Sequence, residues 1–209
     1  MKKLAFTIAL TFLTSSTFAA TAQSNRSNFD IRVPVKNWLK KLNDGFRVGI
    51  AQGSLETNLR IRDTGLDNSN NEGSNTKIQL HLGHEEIRTK NFGHSIYATY
   101  QDVSIDNNIY DADLRNMRIA ANATYGLTPQ AYVYGGLNYG KWFGSGVIED
   151  NIDAGIGHQL GIGVKLHKKI NLEAEYLTLI NEGRYQKRNL DLTARGILIK
   201  LNTPFSFNI

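Results

Sequence analysis

From Gly45 onward, apolar and polar residues alternate with a period of two. That is the spacing of side chains on the two faces of a β-strand, not the 3.6-residue period of a helix. Phe46, Val48 and Ile50 alternate with Arg47, Gly49 and Ala51, and Ile78, Leu80 and Leu82 with Lys77, Gln79 and His81. Ile96, Ala98 and Tyr100 form a third series, Met117 to Ala123 a fourth, and Ala131 to Tyr139 a fifth. Ile156 to Leu166 form a sixth, and Leu172, Ala174 and Tyr176 a seventh, opposite Asn171, Glu173 and Glu175. Ile197, Ile199 and Leu201 close an eighth.

The connections differ in length. Short links fall near Glu85–Phe92, Gly126–Gln130 and His167–Lys169, and longer polar links near Asp63–Asn75, Asp102–Asp113, Gly144–Ala154 and Asn181–Asn189. Long-short alternation predicts an all-β, eight-stranded antiparallel up-and-down transmembrane barrel, with long loops outside and short turns in the periplasm. A soluble sandwich shares the alternation but does not usually collect its long connections at one end. One hairpin fixes a register. Leu166 opposite Ile170, across a three-residue turn, sets Val164 against Leu172, Ile162 against Ala174 and Leu160 against Tyr176 on one face. The other face then sets Gly163 against Glu173 and Gly161 against Glu175. A one-residue slip would put Glu173 in lipid at a cost of about 2–4 kcal/mol.

The first residues read differently. Lys2 and Lys3, the apolar run Leu4–Leu13 and Ala20-Thr21-Ala22 have the form of a secretory signal peptide over residues 1–22. Residues 23–44 form a lead-in. Within it Val35, Trp38, Leu39 and Leu42 fall at helical spacing opposite Lys36, Lys40 and Lys41, after Pro34. That pattern is either a short interfacial helix on anionic headgroups or a loosely ordered segment. Residues 45–201 are the expected barrel, and residues 202–209 a C-terminal extension.

Composition narrows the class. The chain has 209 residues and no Cys, so disulfides and thiolate metal sites are excluded. Mean hydropathy is only −0.34, as expected where every second strand residue faces a polar interior. The formal charge of +5 falls to +3 without Lys2 and Lys3. That is too mild to argue for nucleic acid, which export also disfavours.

Tyr125–Gly140 (YGLTPQAYVYGGLNYG), Gly161–Leu166 (GIGVKL) with Ile170–Tyr176 (INLEAEY), and Gly196–Leu201 (GILIKL) resemble OmpA-like outer-membrane β-barrel proteins, including opacity-type surface antigens. The first resembles a periplasmic turn and the strand after it. The second resembles strands six and seven, and the third the closing signal read by the barrel-assembly machinery. Leu201 stands where that signal usually ends on an aromatic residue, and the chain continues past it. The resemblance implies residence in the bacterial outer membrane. It does not imply one function, because small barrels serve as adhesins, enzymes and structural elements.

Candidate chemistry is sparse. His94 and Ser95 are adjacent, so on a strand they point to opposite faces and cannot act as a base and nucleophile pair. His81 and His84 also face opposite sides, with Glu85 and Glu86 expected at a turn, and His158 carries the outward parity. No catalytic, metal or cofactor site is expected. Arg47, Lys77, Arg118, Lys165, Glu173 and Glu175 carry the lumen parity and are expected to form an internal ion-pair network, joined by Asn122 and Gln159. Tyr139, Trp142 and Phe143 at the outer rim and Tyr125 at the periplasmic rim fit interfacial girdles. The first three external loops are acidic, whereas the fourth carries Arg184, Lys187 and Arg188, a candidate contact for an anionic surface. The expected function is therefore a non-enzymatic surface protein whose loops mediate adhesion, host-surface or envelope interactions. Expected partners are outer-membrane lipids, lipopolysaccharide and a host-surface ligand. The alternatives are a lipid-modifying enzyme and a narrow channel.

Overall fold

The structure is a computed structural model that describes residues 45–61, 70–105, 112–144, 151–167, 169–185 and 188–205, without the side chains at 59–61, 70–77, 104, 105, 112, 113, 185 and 188. The signal peptide, the lead-in helix and residues 206–209 lie outside the described residues. The chain divides into two units, residues 1–37 and Trp38–Ile209, and all that follows belongs to the second.

Eight strands run in sequence order: β1 (Phe46–Ile61), β2 (Asn70–Glu86), β3 (Phe92–Ile105), β4 (Ala112–Gly126), β5 (Ala131–Gly144), β6 (Gly155–His167), β7 (Ile170–Tyr185) and β8 (Arg188–Pro204). Each pairs antiparallel with the next, and β8 closes on β1. Closure leaves no sheet edge, the condition for crossing lipid with strands. A row of paired residues from Lys165 passes through Asn171, Asn202, Gly49, His81, Thr99, Arg118 and Gly140, and returns to β6 at Gly155, ten residues along. The row thus climbs the barrel wall. Eight strands leave an interior that side chains can fill.

The strands outrun the sequence expectation. The long links expected at Asp63–Asn75, Asp102–Asp113 and Gly144–Ala154 begin or end inside β2, β3 and β4, or beside β6. The loop expected at Asn181–Asn189 is instead the tip of a hairpin, with Asn181 opposite Leu192 and Tyr185 opposite Arg188. Above the membrane both faces of these strands carry polar residues, so hydropathy no longer alternates although the ladder continues. β8 likewise runs to Pro204, taking in part of the expected extension. β2 carries a register irregularity against both neighbours between Asn75 and Gln79, and Lys77 lies inside it.

The β6–β7 register is the expected one from Val164–Leu172 to Gly161–Glu175. Only the turn differs: a bulge between Lys165 and His167 sets His167, not Leu166, opposite Ile170.

Outward residues form the lipid face. Ile50, Leu80, Ile119, Leu137, Leu160 and Ile199 are all exposed there. Burying them in hydrocarbon rather than in protein is what an apolar outer band accomplishes.

Candidate functional site

The lumen is built in two zones. Toward the loop end, Leu55, Val103, Leu114, Trp142, Leu179 and Leu192 belong to one buried apolar cluster. Ile152 joins it from the segment before β6, which pairs with Gly183. Asn181 ties that segment down, donating to Gly140 O at 2.9 Å and Asp153 O at 3.0 Å. It also accepts Trp142 Nε1 at 3.0 Å. Trp142 is therefore an inward residue and not part of the expected outer girdle, because strand parity puts it on the face opposite Phe143 and Tyr139. Those two are exposed, and Tyr125 packs on Phe92 at 5.1 Å between ring centroids.

Toward the periplasmic end the lumen is ionic. Glu175 accepts hydrogen bonds from Lys200, from Tyr134 Oη at 3.0 Å and from Arg118 Nη2 at 3.5 Å. Glu173 accepts Tyr132 Oη at 2.6 Å, Tyr134 Oη at 3.1 Å and Asn202 Nδ2 at 2.8 Å. Glu85 accepts Tyr97 Oη at 2.8 Å and Asn171 Nδ2 at 2.9 Å, with Arg47 Nε 3.6 Å away. Gln159 donates to Asn122 at 2.6 Å, and Asn122 donates to Ser95 at 3.0 Å. Buried carboxylates need this density of donors to offset desolvation.

Of the residues assigned to the lumen by parity, the structure brings Arg118 and Glu175 together and sets Glu173 beside them. Arg47 lies on Glu85 instead. Lys165 is half-buried opposite Asn171 and makes no ion pair among the described residues. The side chain of Lys77 lies outside the described residues. Sequence reasoning missed Lys200, Asn202, Tyr97, Tyr132, Tyr134 and Glu85. The tyrosines, Lys200 and Asn202 were legible as the alternate positions of β3, β5 and β8. Glu85 was not, because the expected turn at Glu85–Phe92 begins two residues early: Glu85 and Glu86 both belong to β2.

The two tyrosines fit because β6 carries glycine where they lie. A Cβ at Gly161 or Gly163 would fall within the rings of Tyr134 and Tyr132, their respective partners across the β5–β6 pair.

The histidines do not assemble into a site. His81 faces the lumen and bonds Asn202, whereas His84 is on the other face, stacked on His94 at 5.5 Å. His158 is exposed between Ile156 and Leu160.

Outside the barrel wall, a charged ring borders the apolar face on the loop side. Arg115 lies 3.9 Å from Asp102, Arg195 lies 3.3 Å from Glu56, and Lys141 Nζ sits 5.5 Å from the Phe143 ring centroid. Both arginines are more than half exposed. Arg184 is exposed near the tip of the β7–β8 hairpin, its backbone N–H bonded to Asn151 O. Lys187 and the side chain of Arg188 lie outside the described residues.

A sequence model described as the outer membrane protein beta-barrel domain matches residues 6–205. Among solved structures, Neisserial surface protein A is similar at 14% identity with a TM-score of 0.50, covering 77% of this chain and 97% of that one. OprG from Pseudomonas aeruginosa is similar at 14% identity and TM-score 0.47, covering 78% and 98%. The attachment invasion locus protein Ail of Yersinia pestis, in complex with the heparin analogue sucrose octasulfate, is similar at 13% identity and TM-score 0.36, covering 75% and 99%. Curated protein sequences give no match. With a closed eight-stranded barrel and the family match over nearly the whole chain, this protein belongs to the outer-membrane β-barrel family and resides in the bacterial outer membrane.

Proposed function

We propose that this barrel is a non-enzymatic surface protein that works through its external rim, binding anionic groups of lipopolysaccharide or of a host polysaccharide. The observation that carries the reading is the filled lumen. Apolar side chains occupy its outer part and a hydrogen-bonded ionic network its inner part, which leaves the rim as the surface for recognition. Arg115 and Arg195 stand outward just beyond the apolar face, at the level where phosphates of an outer leaflet would lie, with Arg184 farther out on the hairpin. Their carboxylate neighbours are half-exposed, and such pairs are worth about 0–1 kcal/mol, so a phosphate can compete for each guanidinium.

The test is binding of the purified barrel to vesicles with and without lipopolysaccharide. Changing Arg184, Lys187 and Arg188 together to Ala should weaken binding and flatten its salt dependence. Changing Arg115 and Arg195 to Ala should do the same. Unaltered binding by both variants, with folding preserved, removes the charge-based reading.

A further inference from the structure

Directly below the apolar cluster lies a band of polar atoms with no hydrogen-bond partner among the described residues. Gln79 Nε2, Gln101 Nε2 and Oε1, Asn116 Oδ1, Asn138 Oδ1 and Arg118 Nε and Nη1 are all fully buried and unpartnered. Gln79, Gln101, Asn116 and Arg118 are neighbours. Gln79 faces Gln101 across β2–β3, Gln101 faces Asn116 across β3–β4, and Arg118 Nη2 donates to Gln79 Oε1 at 3.2 Å. Val103 and Leu114, two residues farther out on β3 and β4, seal the band from the loop side, as does Trp142, opposite Asn116.

The band is rich in donors. A guanidinium has five N–H groups. Arg118 uses Nη2 on Gln79 and Glu175, which leaves the N–H groups of Nε and Nη1 unused. The amide NH2 groups of Gln79 and Gln101 add to the surplus. Opposing them are the three amide oxygens of Gln101, Asn116 and Asn138. Among the described residues, Glu175 is the carboxylate in contact with Arg118, at 3.5 Å on the Nη2 side, and it also takes Lys200. A buried polar group left unpaired is costly, and more so when charged. A water molecule brings as many donors as acceptors and leaves the surplus in place. A small anion only accepts, and it also offsets the guanidinium charge.

We propose that the lumen holds a halide-sized monovalent anion beside Arg118, with the amide groups of Gln79 and Gln101 as further donors. The anion is resident in the lumen and does not require a conducting path, so the inference stands apart from the proposed surface function.

Bromide is the probe. Crystals of the full chain grown in bromide should give an anomalous peak within hydrogen-bond distance of Arg118 Nε or Nη1 and of Gln101 Nε2. Only water at that place, or no peak, overturns the proposal. In detergent solution, bromide in place of gluconate at equal ionic strength should raise the unfolding temperature of the parent protein. Gln101→Leu keeps both ion pairs of Glu175 and should lose most of that rise. An equal rise in both proteins, or no rise in the parent, contradicts the site.

Discussion

Tyr134 lies over Gly161, its partner across the β5–β6 pair, and the missing side chain at 161 is what lets its phenol reach the buried carboxylates of Glu173 and Glu175. The same arrangement repeats two residues along, with Tyr132 over Gly163. Gly161→Val should therefore displace the ring and destabilise the barrel by about 1–3 kcal/mol. Urea unfolding from lipid vesicles measures this. Parent-like stability would mean the ring has room to spare.

The Arg118–Glu175 contact predicts strong non-additivity. Both side chains are essentially inaccessible, so losing Glu175 leaves the Arg118 charge, and that of Lys200, uncompensated, at about 3–5 kcal/mol. Glu175→Leu should be severe, and Arg118→Met milder, because Lys200 still meets the carboxylate. Together they should cost well under the sum, because Arg118→Met removes one of the two charges that Glu175→Leu strands. Additive losses would show that the two do not act as a pair.

The hairpin face assignment was readable because two constraints agreed: Val164 to Leu160 needed lipid, and Glu173 and Glu175 needed the lumen. Neither constraint operates beyond the membrane. Asn181–Arg188 is polar on both faces, so the pattern that marks a strand vanished there although the ladder did not. Trp142 was misplaced for a related reason. An aromatic residue near a loop fits a girdle by composition, and only parity, carried outward from Leu137 and Tyr139, puts it inside. Which lumen groups bond to which was not legible at all. Pairings such as Asn171 with Glu85, or Arg118 with Gln79, join strands far apart in the chain, and barrel closure and shear set them, not local sequence.

That assignment is itself testable. Single Cys residues at 174 and 173 should differ sharply: a lipid-phase thiol reagent should label position 174 and spare 173, since Glu173 is buried and Ala174 lies on the outer face. The reverse pattern would mean a slipped hairpin.

The position of Trp142 has its own signature. In a Trp38→Phe background, its fluorescence should resist quenching by brominated lipids, because the indole is enclosed in the lumen and bonded to Asn181. A residue of an interfacial belt would be quenched strongly. Strong quenching would return Trp142 to the outer girdle and open the external end of the lumen.

On the proposed function, the barrel is closed to flow and acts at its outer surface. Planar-bilayer recording of the purified monomer tests this most directly. The packed apolar cluster over the Arg118–Glu175–Lys200 network predicts no steady, porin-sized current at any holding potential the bilayer tolerates. A stable conductance of that size would mean an open lumen and make the lumen, not the rim, the working part of the molecule.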